Sequence, residues 1–130
     1  MTSKRNTKQA DLLADQFINY LRVEKGLADN TIQSYSRDLL RFLQFLEGRK
    51  RAPIQTHQDD IMEYMSTLQK DLSVRSCARS LSALKMFFRF LVTEGRIESS
   101  PARLLEAPKL PRKLPSVLTR DEVDMLLSQP

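Results

Sequence analysis

A chain of 130 residues suits one domain with a short tail, and 41% apolar with 28% charged residues is ordinary globular usage that excludes wholesale disorder. Twenty-one Lys and Arg against sixteen Asp and Glu give a net charge of +5 and a pI near 9.6, a balance that favours a polyanionic partner such as nucleic acid. The single cysteine, Cys77, excludes an internal disulfide and a thiolate metal cage. No apolar run approaches the roughly 20 residues that a membrane helix needs, so the expectation is a cytoplasmic protein with no membrane partner.

The basic start Lys4, Arg5, Lys8 leads into an amphipathic stretch rather than a signal-peptide core. Ala10, Leu13, Ala14, Phe17, Ile18 and Leu21 recur at steps of three and four, the stripe of a first helix stopped by Gly26. Asn30 is the expected N-cap of a second helix, with Ile32, Tyr35, Leu39, Phe42, Leu43 and Leu46 facing inward and Gly48 as its stop. Pro53 and Thr56 announce a shorter third helix carrying Ile61, Tyr64, Met65 and Leu68. Ser73 caps a fourth, with Val74, Cys77, Leu81, Leu84, Phe87, Phe88 and Leu91 on its inner face and Gly95 at its end.

Strand alternation is absent, so the expected class is all-α, a four-helix bundle. After Ser99-Ser100-Pro101 a short helical turn runs through Leu104 and Leu105, and the three prolines of 108–115 then forbid a helix and predict an extended, basic linker. Thr119 with Glu122 forms a capping box that opens another helix through Leu127. The expected organisation is therefore a helical domain over 1–106, a linker over 107–118, and over 119–130 the start of a further domain of which this chain holds only the beginning.

Catalytic signals are missing from this pattern. His57, the sole histidine, lies among Gln58, Asp59 and Asp60 at a helix start, where polar and acidic residues collect for electrostatic reasons. It has no second nitrogen or sulfur ligand at metal-binding spacing, and there is no glycine-rich phosphate loop and no Ser or Cys nucleophile with a histidine partner. Tyr35 and Tyr64 lie on apolar stripes and Tyr20 near one, which predicts packing rather than nucleophilic roles. No catalytic residue, metal or cofactor is assigned.

The outward helix faces are more informative. At about 100° per residue the second helix gathers Asn30, Gln33, Ser34, Arg37, Arg41 and Gln44 opposite its stripe, an acid-free set. The fourth gathers Arg75, Arg79, Ser82 and Arg89, flanked by Ser76 and Lys85. Such residues hydrogen-bond phosphates and base edges, and a helix fits the major groove of duplex DNA. Arg49-Lys50-Arg51 and the linker cations Lys109, Arg112 and Lys113 add phosphate-seeking charge.

Several stretches together resemble the Xer branch of the tyrosine recombinases. They are Glu24-Lys25-Gly26-Leu27-Ala28-Asp29-Asn30-Thr31-Ile32, Ser34-Tyr35, Arg37-Asp38-Leu39, Arg79 to Lys85, Phe87-Phe88, Ser100-Pro101-Ala102, Pro108 to Pro111 and Leu114-Pro115. The resemblance implies an orthogonal, SAM-like N-terminal core-binding bundle that, with a C-terminal catalytic domain, clamps one recombination half-site. Carried over by position, it implies DNA contacts from Asn30, Thr31, Gln33, Ser34, Arg37, Arg75, Ser76 and Arg79. The family's nucleophilic tyrosine and its basic partners belong to the catalytic domain, so this stretch is expected to bind DNA and cleave nothing. The parent is expected to act as a tetramer on two duplexes, with itself or a sister recombinase, in chromosome dimer resolution. The alternatives are the same domain from a phage or integron integrase, or a helical module that meets acidic protein partners and no nucleic acid.

Overall fold

The computed structural model describes the backbone of residues 2–106 and the side chains of residues 9–106. Four helices, α1 (Thr2–Val23), α2 (Asp29–Gly48), α3 (Gln58–Asp71) and α4 (Val74–Thr93), form an all-α bundle, with one 3-10 turn at Pro53–Gln55 and no strand among the described residues. α2 packs chiefly against α1 and α4, and α3 closes the remaining side against α4 and α2. Residues 101–104 form turns, with the Leu105 N–H donating to the Ala102 carbonyl at 3.1 Å and Ala102 buried against the bundle. The expected linker and the helix from Thr119 lie outside the described residues.

The four inward stripes are buried except at Ile18, Tyr35 and Val74, which are half-buried, and the four helices meet through their rings. Phe17 of α1 stands edge-on to Phe87 at 5.4 Å, and Phe42 of α2 edge-on to both Tyr64 of α3 at 5.0 Å and Phe88 of α4 at 6.0 Å. Phe87 and Phe88 also contact each other at 5.2 Å. Adjacent residues on a helix diverge by about 100°, so this pair sends one ring toward α1 and the other toward α2. Each such edge-to-face pair adds about 0.5–1.5 kcal/mol to the burial of the rings themselves.

The ends of α2 depart from expectation in two places. The N-cap of α2 is Ala28 rather than Asn30; the Ile32 N–H bonds the Ala28 carbonyl at 3.0 Å, Asp29 complements the positive helix end, and Asn30 falls inside the first turn. α3 begins after His57, at the helix start expected there, and the Asp60 carboxylate accepts the His57 N–H at 2.8 Å, one half of a capping box. Gly48 is the last helical residue of α2, and the left-handed residue that terminates the helix is Lys50, with φ 57°. There the Arg51 N–H reaches back to the Leu46 carbonyl at 3.0 Å and the Lys50 N–H to Glu47 at 2.9 Å. α4 ends with the same pair of bonds, to Leu91 and Val92, but there the left-handed residue is Gly95, φ 75°.

A side chain in the left-handed region is strained by about 1–2 kcal/mol, part of which glycine returns through its freer unfolded chain. Lys50→Gly is therefore expected to stabilise the fold by about 0.5–1 kcal/mol, read as a higher urea midpoint at unchanged slope.

Tyr64 is only 2% exposed, and its hydroxyl has no hydrogen-bond partner among the described residues. Burial pushes the phenol well above its ordinary value of 10.0, Asp38 and Cys77 push the same way, and Arg41 offsets a part. The unfolded chain ionises its tyrosines from about pH 10, so the stability this group contributes is full below that pH and declines as the pH rises through the folded value. Tyr64→Phe should gain about 1 kcal/mol at neutral pH by removing the unpaired hydroxyl, and its stability, followed by urea denaturation at stepped pH, should fall less steeply above pH about 10 than that of the unsubstituted protein.

Candidate nucleic-acid interface

The outer arc of α2 presents Asn30, Thr31, Gln33, Arg37, Arg41 and Gln44 as exposed residues, with Ser34 half-buried. It is not acid-free. Because the helix starts one residue before Asn30, exposed Asp29 stands one turn before Gln33 and two before Arg37. A second acid, Asp38, lies beneath the arc, 2% exposed.

On α4, Arg75, Arg79, Ser82 and Arg89 are exposed, and Ser76 and Lys85 half-buried. The Ser73 hydroxyl caps the helix by accepting the Ser76 N–H at 3.1 Å and also meets the Ser76 hydroxyl at 3.2 Å. Ser76 is thus part of the cap, and Arg75 is the exposed residue beside it. The first turn of α4 holds no acid, so its positive end is left to Arg75 and the amides.

Asp38 and Arg79 join the two arcs. Arg79 donates from Nε to Asp38 Oδ2 at 2.8 Å and from Nη2 to Oδ1 at 3.1 Å, and the buried Ser80 hydroxyl donates to Oδ1 at 3.2 Å. The Arg79 side chain remains 43% exposed while Asp38 is enclosed. The hydrogen bond it donates to Asp38 holds the guanidinium above its already high ordinary pKa, partial desolvation works against it, and the Asp38 and Tyr35 charges add to it. Arg79 therefore sits across the seam between α2 and α4, with Ser34 and Arg41 on one side, four residues before and three after Asp38, and Arg75 and Ser76 on the other, four and three residues before Arg79.

Sequence patterning missed this bridge, although a signal was present. Asp38 falls three residues after Tyr35 and four before Phe42, and Ser80 falls three after Cys77 and four before Leu84, so each is a polar residue inside an apolar stripe. Two such residues on neighbouring helices call for a common partner.

The Arg49-Lys50-Arg51 run is mostly committed elsewhere. Arg49 pairs with Asp60 at 3.3 Å and Glu63 at 3.0 Å and lies over the Phe45 ring at 5.2 Å, and Arg51 Nε stands 3.1 Å from Asp60. The Arg51 contact is a pairing of charges and not an aligned hydrogen bond. Its reason is the buried Asp60 carboxylate, 2% exposed, which draws both arginines from the loop onto the start of α3. Of the three, only Lys50 is left to face an external anion. The linker cations Lys109, Arg112 and Lys113 lie outside the described residues.

His57 is exposed at the α3 cap. Among the described residues no three His, Cys, Asp or Glu side chains are grouped to hold a metal, and no helix is long and apolar enough to cross a membrane. Cys77 is fully buried, and burial raises its thiol pKa.

The sequence that builds these helices matches, over residues 14–95, the family described as phage integrase, N-terminal SAM-like domain. The chain belongs to that family. Relatives of this SAM-like domain include three proteins named tyrosine recombinase XerD. That of Oceanobacillus iheyensis is 36% identical over 116 residues, covering 87% of this chain and 39% of the relative. That of Listeria innocua is 38% identical over 119 residues, covering 89% and 40%, and that of Proteus mirabilis 34% over 130 residues, covering 99% and 42%. The chain spans about two fifths of the length of these relatives. No solved structure matches it significantly.

Removing one member of a buried charge cluster leaves the others uncompensated. Asp60→Ala is expected to cost about 2–4 kcal/mol in urea denaturation, and Glu63→Ala, whose partner contact is largely solvated, less than about 1 kcal/mol.

Proposed function

We propose that residues 1–106 form the core-binding domain of a site-specific tyrosine recombinase and grip duplex DNA at a recombination half-site through the outer arcs of α2 and α4. The observation that carries this is the Asp38–Arg79 bridge between two helices whose outer arcs expose Arg37 and Arg41 on α2 and Arg75 on α4. Such a seam spans two helices with arginines that match phosphate geometry, and Asn30, Thr31, Gln33 and Ser34 add neutral donors and acceptors at its edge. Lys109, Arg112 and Lys113 extend the same charge into an interdomain tether over 107–118, with 119–130 opening the catalytic domain.

Strand exchange belongs, in this reading, to residues beyond the bundle. Tyr64 is buried, and Tyr20 and Tyr35 are half-buried, Tyr20 against Phe17 and Phe90, so the bundle offers a scissile phosphate no exposed tyrosine. The relatives' name, tyrosine recombinase XerD, supports the recombinase reading; a role in chromosome dimer resolution, in the cytoplasm, as a tetramer with itself or a sister recombinase on two duplexes, is part of the same proposal.

Duplex binding driven by phosphate contacts releases counterions, and affinity falls with a log-log salt slope of about 0.9 per phosphate neutralised. Fluorescence anisotropy with labelled duplex DNA is expected to show such a slope. Arg37→Glu and Arg75→Glu should each weaken binding about tenfold and flatten the slope by about 1, whereas Arg96→Glu, at the opposite end of α4, should leave both nearly unchanged. Salt-independent binding, or preference for an acidic peptide over duplex in competition, would overturn the proposal.

A further inference from the structure

A carboxylate beneath a surface offered to a polyanion is ordinarily expected to weaken binding, because it cancels one positive charge and repels phosphate. Asp38 is such a carboxylate, yet both its oxygens are engaged within the protein, one by Arg79 Nε and the other by Arg79 Nη2 and Ser80. We propose that Asp38 favours DNA binding, as a positioning residue that holds the Arg79 guanidinium in one orientation toward a backbone phosphate. This inference rests on the duplex-binding reading above and concerns how that surface is built.

A guanidinium carries five N–H donors. Asp38 takes one on Nε and one on Nη2 along a single side of the plane. Three remain, two on Nη1 and one on Nη2, at the outer edge of a side chain that is 43% exposed. Parallel donors on that edge match two oxygens of a phosphate. A surface arginine ordinarily gives up about 2 kcal/mol of rotamer entropy when it is ordered, and Arg79 has already been ordered by folding, with Ser80 fixing the plane of the carboxylate that holds it.

The tether also decides what Arg79 contacts. Drawn sideways from α4 onto α2, the side chain is not extended along a groove, so its outer edge lies at the protein surface, where the DNA backbone passes, and not at the depth of a base edge. Its contribution is therefore uniform across DNA sequences, unlike that of an arginine reading guanine. Lysine at this position would keep the charge but lose the fork, since an ammonium has no planar edge to divide between a carboxylate and a phosphate.

The test uses the 130-residue chain with a fluorescein-labelled, random-sequence duplex, in anisotropy titrations at low and high salt. Asp38→Asn adds a unit of positive charge and is nonetheless expected to weaken binding about fivefold, Arg79→Ala about tenfold, and the double variant no more than Arg79→Ala alone. Arg79→Lys should lose nearly as much as Arg79→Ala. Thermal melts by circular dichroism verify folding, and if Asp38→Asn does not fold, the two Arg79 variants decide the matter. Tighter binding by Asp38→Asn, losses that add in the double variant, or wild-type affinity for Arg79→Lys would overturn the inference. If wild type binds and Arg37→Glu and Arg75→Glu weaken it while Arg79→Ala does not, the DNA-binding reading stands and the role of Asp38 falls. If the unsubstituted chain fails to bind duplex at all, the reading itself falls.

Discussion

The bundle turns on one buried charge. Asp38 is removed from water on an otherwise apolar stripe, a placement that costs several kcal/mol unless its oxygens are matched. Arg79 and Ser80 match them from the neighbouring helix, and the carboxylate can be enclosed only when α2 and α4 are docked in this register. Apolar packing alone tolerates small slips between helices, whereas a two-pronged hydrogen bond does not. The same bond that fixes the core thus also fixes how the arginine arcs of the two helices adjoin.

A second economy of charge runs through the loop after α2. Asp60 gathers Arg49 and Arg51 and accepts the cap amide of α3, so one carboxylate anchors a loop, starts a helix and withdraws two cations from the surface. The net charge of the chain therefore overstates what a nucleic acid would meet on this side of the bundle. Along the α2–α4 seam, by contrast, Arg37, Arg41 and Arg75 are exposed and Arg79 keeps its outer edge.

Periodicity made the four helices and nearly all of the core legible, because burial of a stripe at steps of three and four is the largest local signal a bundle writes into its sequence. Helix ends were less legible. Asn30 and Gly48 carry the right chemistry for a cap and a stop, but the ends are set by burial and by the Asp60 cluster, and Lys50 takes the left-handed position that a glycine two residues earlier was expected to fill. The outward arcs were read correctly as surfaces, but a helix-by-helix reading takes each residue's neighbours only from its own helix. Arg79, Arg49 and Arg51 have partners far off in sequence or across a loop, and Asp29 joined its arc only once the cap moved.

The adjacent rings of Phe87 and Phe88 have a geometric consequence for the arginine seam. Pointing into different neighbours, they enclose α4 over a wide sector and leave it no freedom to roll about its own axis. The strip of the helix left to water is narrow, and the azimuth at which Arg75 and Arg79 leave it is dictated by two phenyl rings on the far side of the backbone. Whatever those arginines meet must come to a surface whose bearing was settled in the oil of the interior.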